Sequence, residues 1–209
     1  NLQHGRFVAA VGGAVISGVV NELPVFSHTM YDEDFYSFPI HVMRTSGTMD
    51  VLRVILPEKV YAAKNISLQD VLRIQGQYRS RNVVECGKNH LSLSLFATHV
   101  ELLIDIEPTY QNDISLCGFI CKPVSYRKTP LGREISDILI AVNRKFGKSD
   151  YIPCVAWGRN AVFAAQLKVG TQIQIQGRIQ SRTYTKKTAE GERSYTANEV
   201  SIIHLTIAD

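Results

Sequence analysis

At an offset of one hundred residues the sequence matches itself. Gly18 falls on Gly118, Phe26 on Tyr126, Ile40 and Val42 on Ile140 and Val142, Arg44 on Arg144, and Asp50 on Asp150. One inserted residue later, Gly76-Gln77-Tyr78-Arg79-Ser80-Arg81 falls on Gly177-Arg178-Ile179-Gln180-Ser181-Arg182. Identities held in register over this span indicate two copies of one domain, at 7–106 and 112–208. Whatever the chain folds into must therefore be built twice, from about a hundred residues each time. Between the copies lies Asp105-Ile106-Glu107-Pro108-Thr109-Tyr110, a short linker by its Pro and polar residues.

Each copy reads as β-strands with one helix. In the second copy Ile114 to Ile120 and Ser136 to Val142 alternate like strands, and Tyr151 to Trp157 is a third. Thr171 to Gln180 is the clearest: Ile173, Ile175 and Ile179 point one way, the Gln and Arg residues the other. Asn198 to Ile207 closes the set. Asn160 to Lys168 fits a short helix through Ala161, Ala164 and Ala165, ended by Val169-Gly170. Five strands with a helix between the third and fourth predict an all-β chain of two tandem OB-fold barrels. Gly118 and Gly177 fall inside strands, where a small barrel needs a bend or bulge.

Composition narrows the chemistry. An apolar share of 45% and a charged share of 20% exclude a mostly disordered chain. No apolar run reaches the length of a membrane span, and Phe7 to Ile16 reads as an extended strand. These features predict a cytoplasmic protein. Residues 1–106 hold 9 Lys and Arg against 10 Asp and Glu, a net of −1, whereas residues 107–209 hold 14 against 9, a net of +5. An acidic polymer thus suits the second copy alone. Cys86, Cys117, Cys121 and Cys154 make no disulfide framework, and the Cys117/Cys121 pair lacks the second pair a structural metal needs. The six histidines stand without a Ser or Cys at motif spacing, and no HExxH or phosphate-cradling glycine loop occurs. Asp32-Glu33-Asp34 reads as a solvated acidic turn. The expectation is a protein that is not an enzyme and carries no cofactor or metal.

Strand parity then gathers a surface. Ile152, Cys154 and Ala156 face the barrel interior, so Tyr151, Pro153, Val155 and Trp157 face out. Gln174, Gln176, Arg178, Gln180, Arg182 and Tyr184 share the outward face of the next strand. Outward Tyr151, Trp157 and Tyr184 beside Arg178 and Arg182 suit stacked bases with phosphates running past. The hairpin Asn143-Arg144-Lys145-Phe146-Gly147-Lys148 adds another aromatic among cations. Lys186-Lys187 and the run Tyr126 to Arg133, with Arg127, Lys128 and Arg133, extend the pattern. No helix-turn-helix or zinc finger appears for duplex DNA.

The second copy resembles the bacterial single-stranded DNA-binding protein family in its tandem OB-fold form. The resemblance rests on Lys122-Pro123, Thr129-Pro130-Leu131-Gly132, Ile140 to Arg144, Asp150 to Ala161, Gly170, Gly177 to Tyr184, and Tyr195 to Val200. These span nearly all of 112–202 in the family's order. The resemblance implies base stacking at the positions of Phe146, Tyr151, Trp157 and Tyr184, and Arg159 within its motif joins the cations expected at phosphates. It implies a role in replication, recombination and repair, and a homodimer supplying four OB-folds. Family members usually end in a disordered acidic tail with an apolar tip, whereas Ile203 to Asp209 reads as strand.

The first copy keeps the barrel and loses the platform. Phe146 becomes Ser46, Tyr151 becomes Val51, Trp157 becomes Pro57 and Tyr184 becomes Val83. It therefore reads as a core and an interface, with Phe35, Tyr36 and Phe38 as packing residues and Arg73, Arg79 and Arg81 retained. The expected function is sequence-independent binding of single-stranded DNA. A rival reading is an OB-fold interaction subunit of a primosome or replication-restart assembly. A third, binding of single-stranded RNA, differs only in how a 2′-hydroxyl would be sensed.

Overall fold

A computed structural model of the chain describes residues 13–104 and 111–208. The expected start of the first strand at 7–12 and the linker at 105–110 lie outside the described residues. The first barrel comprises β1 (Gly13–Val20), β2 (Val25–Met30), β3 (Glu33–Met43), β4 (Met49–Pro57), α1 (Glu58–Ala62), β5 (Val71–Glu85) and β6 (Lys88–Leu102). The second repeats it as β7 (Asn112–Ile120), β8 (Ser125–Lys128), β9 (Glu134–Asn143), β10 (Ser149–Trp157), α2 (Arg159–Ala165), β11 (Gln172–Thr188) and β12 (Gly191–Ile207). Each barrel closes through five strands: β1 pairs β3 and β5, β3 pairs β4, β5 pairs β6, and β4 runs parallel to β6. The second closes identically, with β10 parallel to β12. The sixth strand in each copy, β2 or β8, is a short edge strand on β3 or β9. It follows a break containing Pro24 or Pro123, since proline cannot donate to a ladder.

Inward side chains fill each barrel. Ile16, Ile40, Leu52, Ile74 and Leu95 are buried in the first, and Leu116, Ile140, Ile152, Ile173 and Val200 in the second. Ile152, Cys154 and Ala156 face the interior as strand alternation requires, whereas Val155 on the outer face is also buried. Gly177 marks a bulge: the ladder slips between Gln176 and Gly177, and a Cβ on Gly177 would stand 2.1 Å from the Ser201 carbonyl oxygen. Gly76 repeats this against Phe96 at 2.2 Å.

The two barrels share one sheet through β1 and β7, which pair antiparallel at Ala14–Ile114 and Ile16–Asn112. Two matching polar contacts fix their orientation. The Asp50 carboxylate is fully buried and ion-pairs with Arg44 at 2.7 Å. It also accepts the backbone N–H of Ser181, in the other barrel, at 2.8 Å. Hydrogen bonding to Asp50 raises the Arg44 guanidinium above its ordinary value. On the opposite side Asp150 pairs with Arg144 at 2.9 Å and accepts the N–H of Ser80 at 2.9 Å. The serine hydroxyls return the bond: Ser181 Oγ accepts Val51 N–H at 3.0 Å, and Ser80 Oγ accepts Tyr151 N–H at 2.7 Å. Tyr151 is therefore positioned by a residue of the first barrel.

Candidate nucleic-acid interface

Trp157 ends β10 half-buried. Its indole N–H donates to Ser201 Oγ on β12 at 3.3 Å, which sets the ring plane. The Arg133 guanidinium lies 4.0 Å above that ring. The turn between β8 and β9 holds Arg133 in place, its N–H donating to Thr129 Oγ1 at 2.9 Å. Arg127, Arg178 and Arg182 join Trp157 around an open groove of about 700 Å³, whose other wall is Met49 and Val51 of the first barrel. A second groove of about 550 Å³ contains Tyr151, which is 42% exposed, with Pro153, Lys122 and Arg182. Arg182, Asp137 and Glu199 line both grooves, so the two are neighbours on one surface. Glu199 accepts from Gln180 at 2.9 Å, and Asp137 pairs with Arg127 at 3.8 Å. Both carboxylates thus lie beside cations in the same grooves, and their negative charge disfavours a second anion close to them.

Tyr184 stands further along β11, where the hairpin with β12 leaves the barrel. Its ring stacks on Tyr195 directly across the hairpin, with centroids 5.7 Å apart and planes at 23°. Lys186 Nζ lies 5.5 Å from the Tyr184 centroid and 5.9 Å from that of Tyr195. Alternation carries the outward face of this strand as far as Tyr184, but the last strand is read only from Asn198, so Tyr195, part of the family resemblance, is not placed opposite Tyr184 by periodicity. The signal is the even spacing of Tyr184 and Tyr195 about Ala189-Glu190, the hairpin turn.

The remaining expected residues are placed less uniformly. Arg159 opens α2, Lys128 ends β8, and Lys187 lies near the hairpin tip, all exposed. Lys145 and Lys148 are exposed in and after a short 3-10 turn at Lys145–Gly147. The side chain of Phe146, within that turn, lies outside the described residues. Arg144 directs its guanidinium to Asp150, so its charge is taken up within the protein.

The first barrel differs in detail. Pro57 is buried where Trp157 stands in the second copy, and Phe35 and Phe38 are buried in packing. Tyr36 is part-exposed, its ring 4.7 Å from Tyr61. Arg79 lies 4.1 Å over Phe96, a cation–aromatic pair built from other positions. No group of three or more potential metal ligands occurs among the described residues. No described helix is long and apolar enough to cross a membrane.

Two closed five-stranded barrels with helices between the third and fourth barrel strands define a tandem OB-fold protein. The model of the single-strand binding protein family matches residues 111–207. Over 97 residues the chain is 34% identical to "Single-stranded DNA-binding protein 2" of Listeria innocua serovar 6a, covering 43% of this chain and 60% of that protein. It is also 34% identical over 97 residues to "Single-stranded DNA-binding protein 1" of Streptococcus pyogenes serotype M18, covering 43% of this chain and 73% of that protein. The chain belongs to the single-strand binding protein family. It spans 60% of the Listeria relative's length and 66% of that of a Clostridium tetani relative. The wild-type single-stranded DNA-binding protein from Thermus aquaticus superposes with a TM-score of 0.75 over 97% of this chain and 95% of that chain. At 16% identity that likeness concerns the fold, and it extends over both barrels.

Proposed function

We propose that the chain binds single-stranded DNA without regard to sequence and protects exposed strands during replication, recombination and repair. Bases stack on Trp157, Tyr151 and Tyr184, with Phe146 at the neighbouring turn. Arg127, Arg133, Arg178, Arg182 and Lys186 follow the phosphates, joined by Lys128, Lys145, Lys148, Arg159 and Lys187 at the margins. The second barrel, 112–208, carries the site, and the first, 7–106, is its structural partner. Two chains pair to supply four barrels, in the cytoplasm. The single observation that carries this reading is Trp157, held by Ser201, capped by Arg133 and open to an arginine-lined groove. A protein-only role in a primosome assembly is not favoured, since the curated relatives above are named as single-stranded DNA-binding proteins.

Trp157 is the one tryptophan in the chain, so its fluorescence reports on the site alone. Titration with oligo-dT quenches it strongly at low salt and less at high salt, and a duplex quenches it weakly. Trp157→Ala weakens oligo-dT binding by about 1–3 kcal/mol. Unchanged affinity in that variant would show that the aromatic face meets something other than bases. The mass of the chain in solution tests the dimer.

A further inference from the structure

The groove that contains Tyr151 is not made by the second barrel alone. Asn82, Asn89 and His90 of the β5–β6 hairpin form its far wall. His90 stacks on Tyr195 across the boundary between barrels, with centroids 6.4 Å apart and planes at 25°. Tyr195 in turn stacks on Tyr184. Three rings from two barrels thus stand in one row, with Lys186 beside it. The row follows from the repeat. His90 faces Val83 across its hairpin as Tyr195 faces Tyr184 across the other, so His90 and Tyr195 are counterparts that meet where the copies meet.

We infer that the first barrel is part of the single-stranded DNA site. Its hairpin provides a base-stacking ring, His90, flanked by two amides, Asn82 and Asn89, and the strand passes from Tyr151 across Arg182 onto the row of Tyr184, Tyr195 and His90. The chemistry fits a nucleotide strand. Ring faces accept any base, Asn82 and Asn89 present donors and acceptors to base edges, and Lys186 supplies a cation at phosphate height. Loss of the four family aromatic positions in the first copy does not make that copy a bystander, because its contribution comes from a hairpin rather than from its own barrel face. The inference rests on the binding reading above, and it adds a second barrel to it.

The test uses the full chain and an oligo-dT ladder of about 4 to 16 nucleotides, the range one OB-fold covers. Short members reach Trp157 only; long members also reach His90. His90→Ala is expected to leave the affinity and Trp157 quenching of short oligomers unchanged and to weaken long ones about fivefold or more. His90→Phe, which keeps a ring, is expected to restore the long-oligomer affinity; a purely structural role for His90 would show no such dependence on length. In the unaltered chain, a long oligomer carrying 5-iodouracil is expected to cross-link on irradiation to the peptides holding His90 and Tyr195, whatever the stability of the variants. Quenching at Trp157 with no cross-link to residues 82–90, and equal affinities for His90→Ala at every length, overturn this inference and leave the second-barrel site intact. No binding by the unaltered chain overturns both.

Discussion

Asp50 and Asp150 perform one task from opposite sides of the contact between barrels. Each is buried, each is paired with an arginine six residues before it, and each accepts a backbone N–H from a serine in the other copy. Two matching copies stand in one chain, and these two carboxylates make the contact between them symmetric. The polar set is specific because a buried carboxylate is tolerated only where its hydrogen bonds are complete. Sliding or rotating one barrel would strand both aspartates at once.

Removal of either partner therefore costs stability, by different amounts. Asp50→Ala leaves the Ser181 N–H without its acceptor, while Arg44, 20% exposed, regains water; a loss of about 1–3 kcal/mol is expected. Arg44→Ala leaves a fully buried carboxylate without its counter-charge, which costs about 3 kcal/mol, the lower end for a broken buried pair because Ser181 still donates. Urea unfolding of the two variants at neutral pH measures both. A smaller loss for Arg44→Ala than for Asp50→Ala would show that the carboxylate is better hydrated than its burial implies.

The residues that made the repeat visible are the residues that join its halves. Arg44 and Arg144, Asp50 and Asp150, and Ser80 and Ser181 match in sequence because a pseudo-twofold contact needs the same groups on both sides. Alternation likewise placed Ile152, Cys154 and Ala156 inside and Tyr151 and Trp157 outside, since a closed barrel sorts side chains by parity. What lay beyond reach has physical causes too. Parity says which face a side chain takes, not what covers it: Val155 faces out and is buried, and Arg144 faces Asp150 rather than solvent. The outer part of β11 and β12 carries no buried apolar face, so alternation stops at Tyr184, and neither the pairing of Tyr195 with Tyr184 nor its contact with His90 is legible in the sequence.

Gly177→Ala tests the bulge. Its Cβ would come within 2.1 Å of the Ser201 carbonyl oxygen, a backbone atom that cannot turn away as a side chain can. Overpacking of this kind costs about 1–3 kcal/mol. Ser201 also receives the Trp157 indole N–H, so the same change is expected to shift the Trp157 emission of the free protein. Wild-type stability with unshifted emission would place the bulge elsewhere.

Alkaline pH is expected to weaken the fold through two buried groups near the contact. Burial pushes the Cys154 thiol well above its ordinary 9.0 and the Tyr78 hydroxyl well above its ordinary 10.0. The folded chain thus keeps protons that the unfolded chain releases. Stability is complete below pH 9 and falls as pH rises, first through the thiol and above pH 10 through the phenol as well. Each contributes about 1.4 kcal/mol per pH unit. Tyr78→Phe is expected to flatten the fall above pH 10 at no cost at neutral pH, because its buried hydroxyl has no hydrogen-bond partner among the described residues. Unfolding free energies from pH 7 to 11 for the wild type and Tyr78→Phe decide it; parallel curves would mean that Tyr78 is reached by water.

Two arginines of the second barrel separate phosphate contact from internal pairing. Arg182 is exposed, lines both grooves and shows no ion pair among the described residues. Arg144 is bound to the buried Asp150. A cation that neutralises a phosphate on a single strand contributes about 0.7 to the slope of log affinity against log salt. Arg182→Ala is expected to lower that slope for oligo-dT by this amount and to leave unfolding unchanged. Arg144→Ala is expected to leave the slope unaltered and to destabilise the fold, because a strand cannot use a charge already committed to a carboxylate in the protein. Salt titrations from about 50 to 200 mM beside urea unfolding curves supply all four values. A slope reduced by Arg144→Ala would mean that Asp150 releases the arginine to the phosphates when the strand binds, and the contact between the barrels would then loosen as the DNA is taken up.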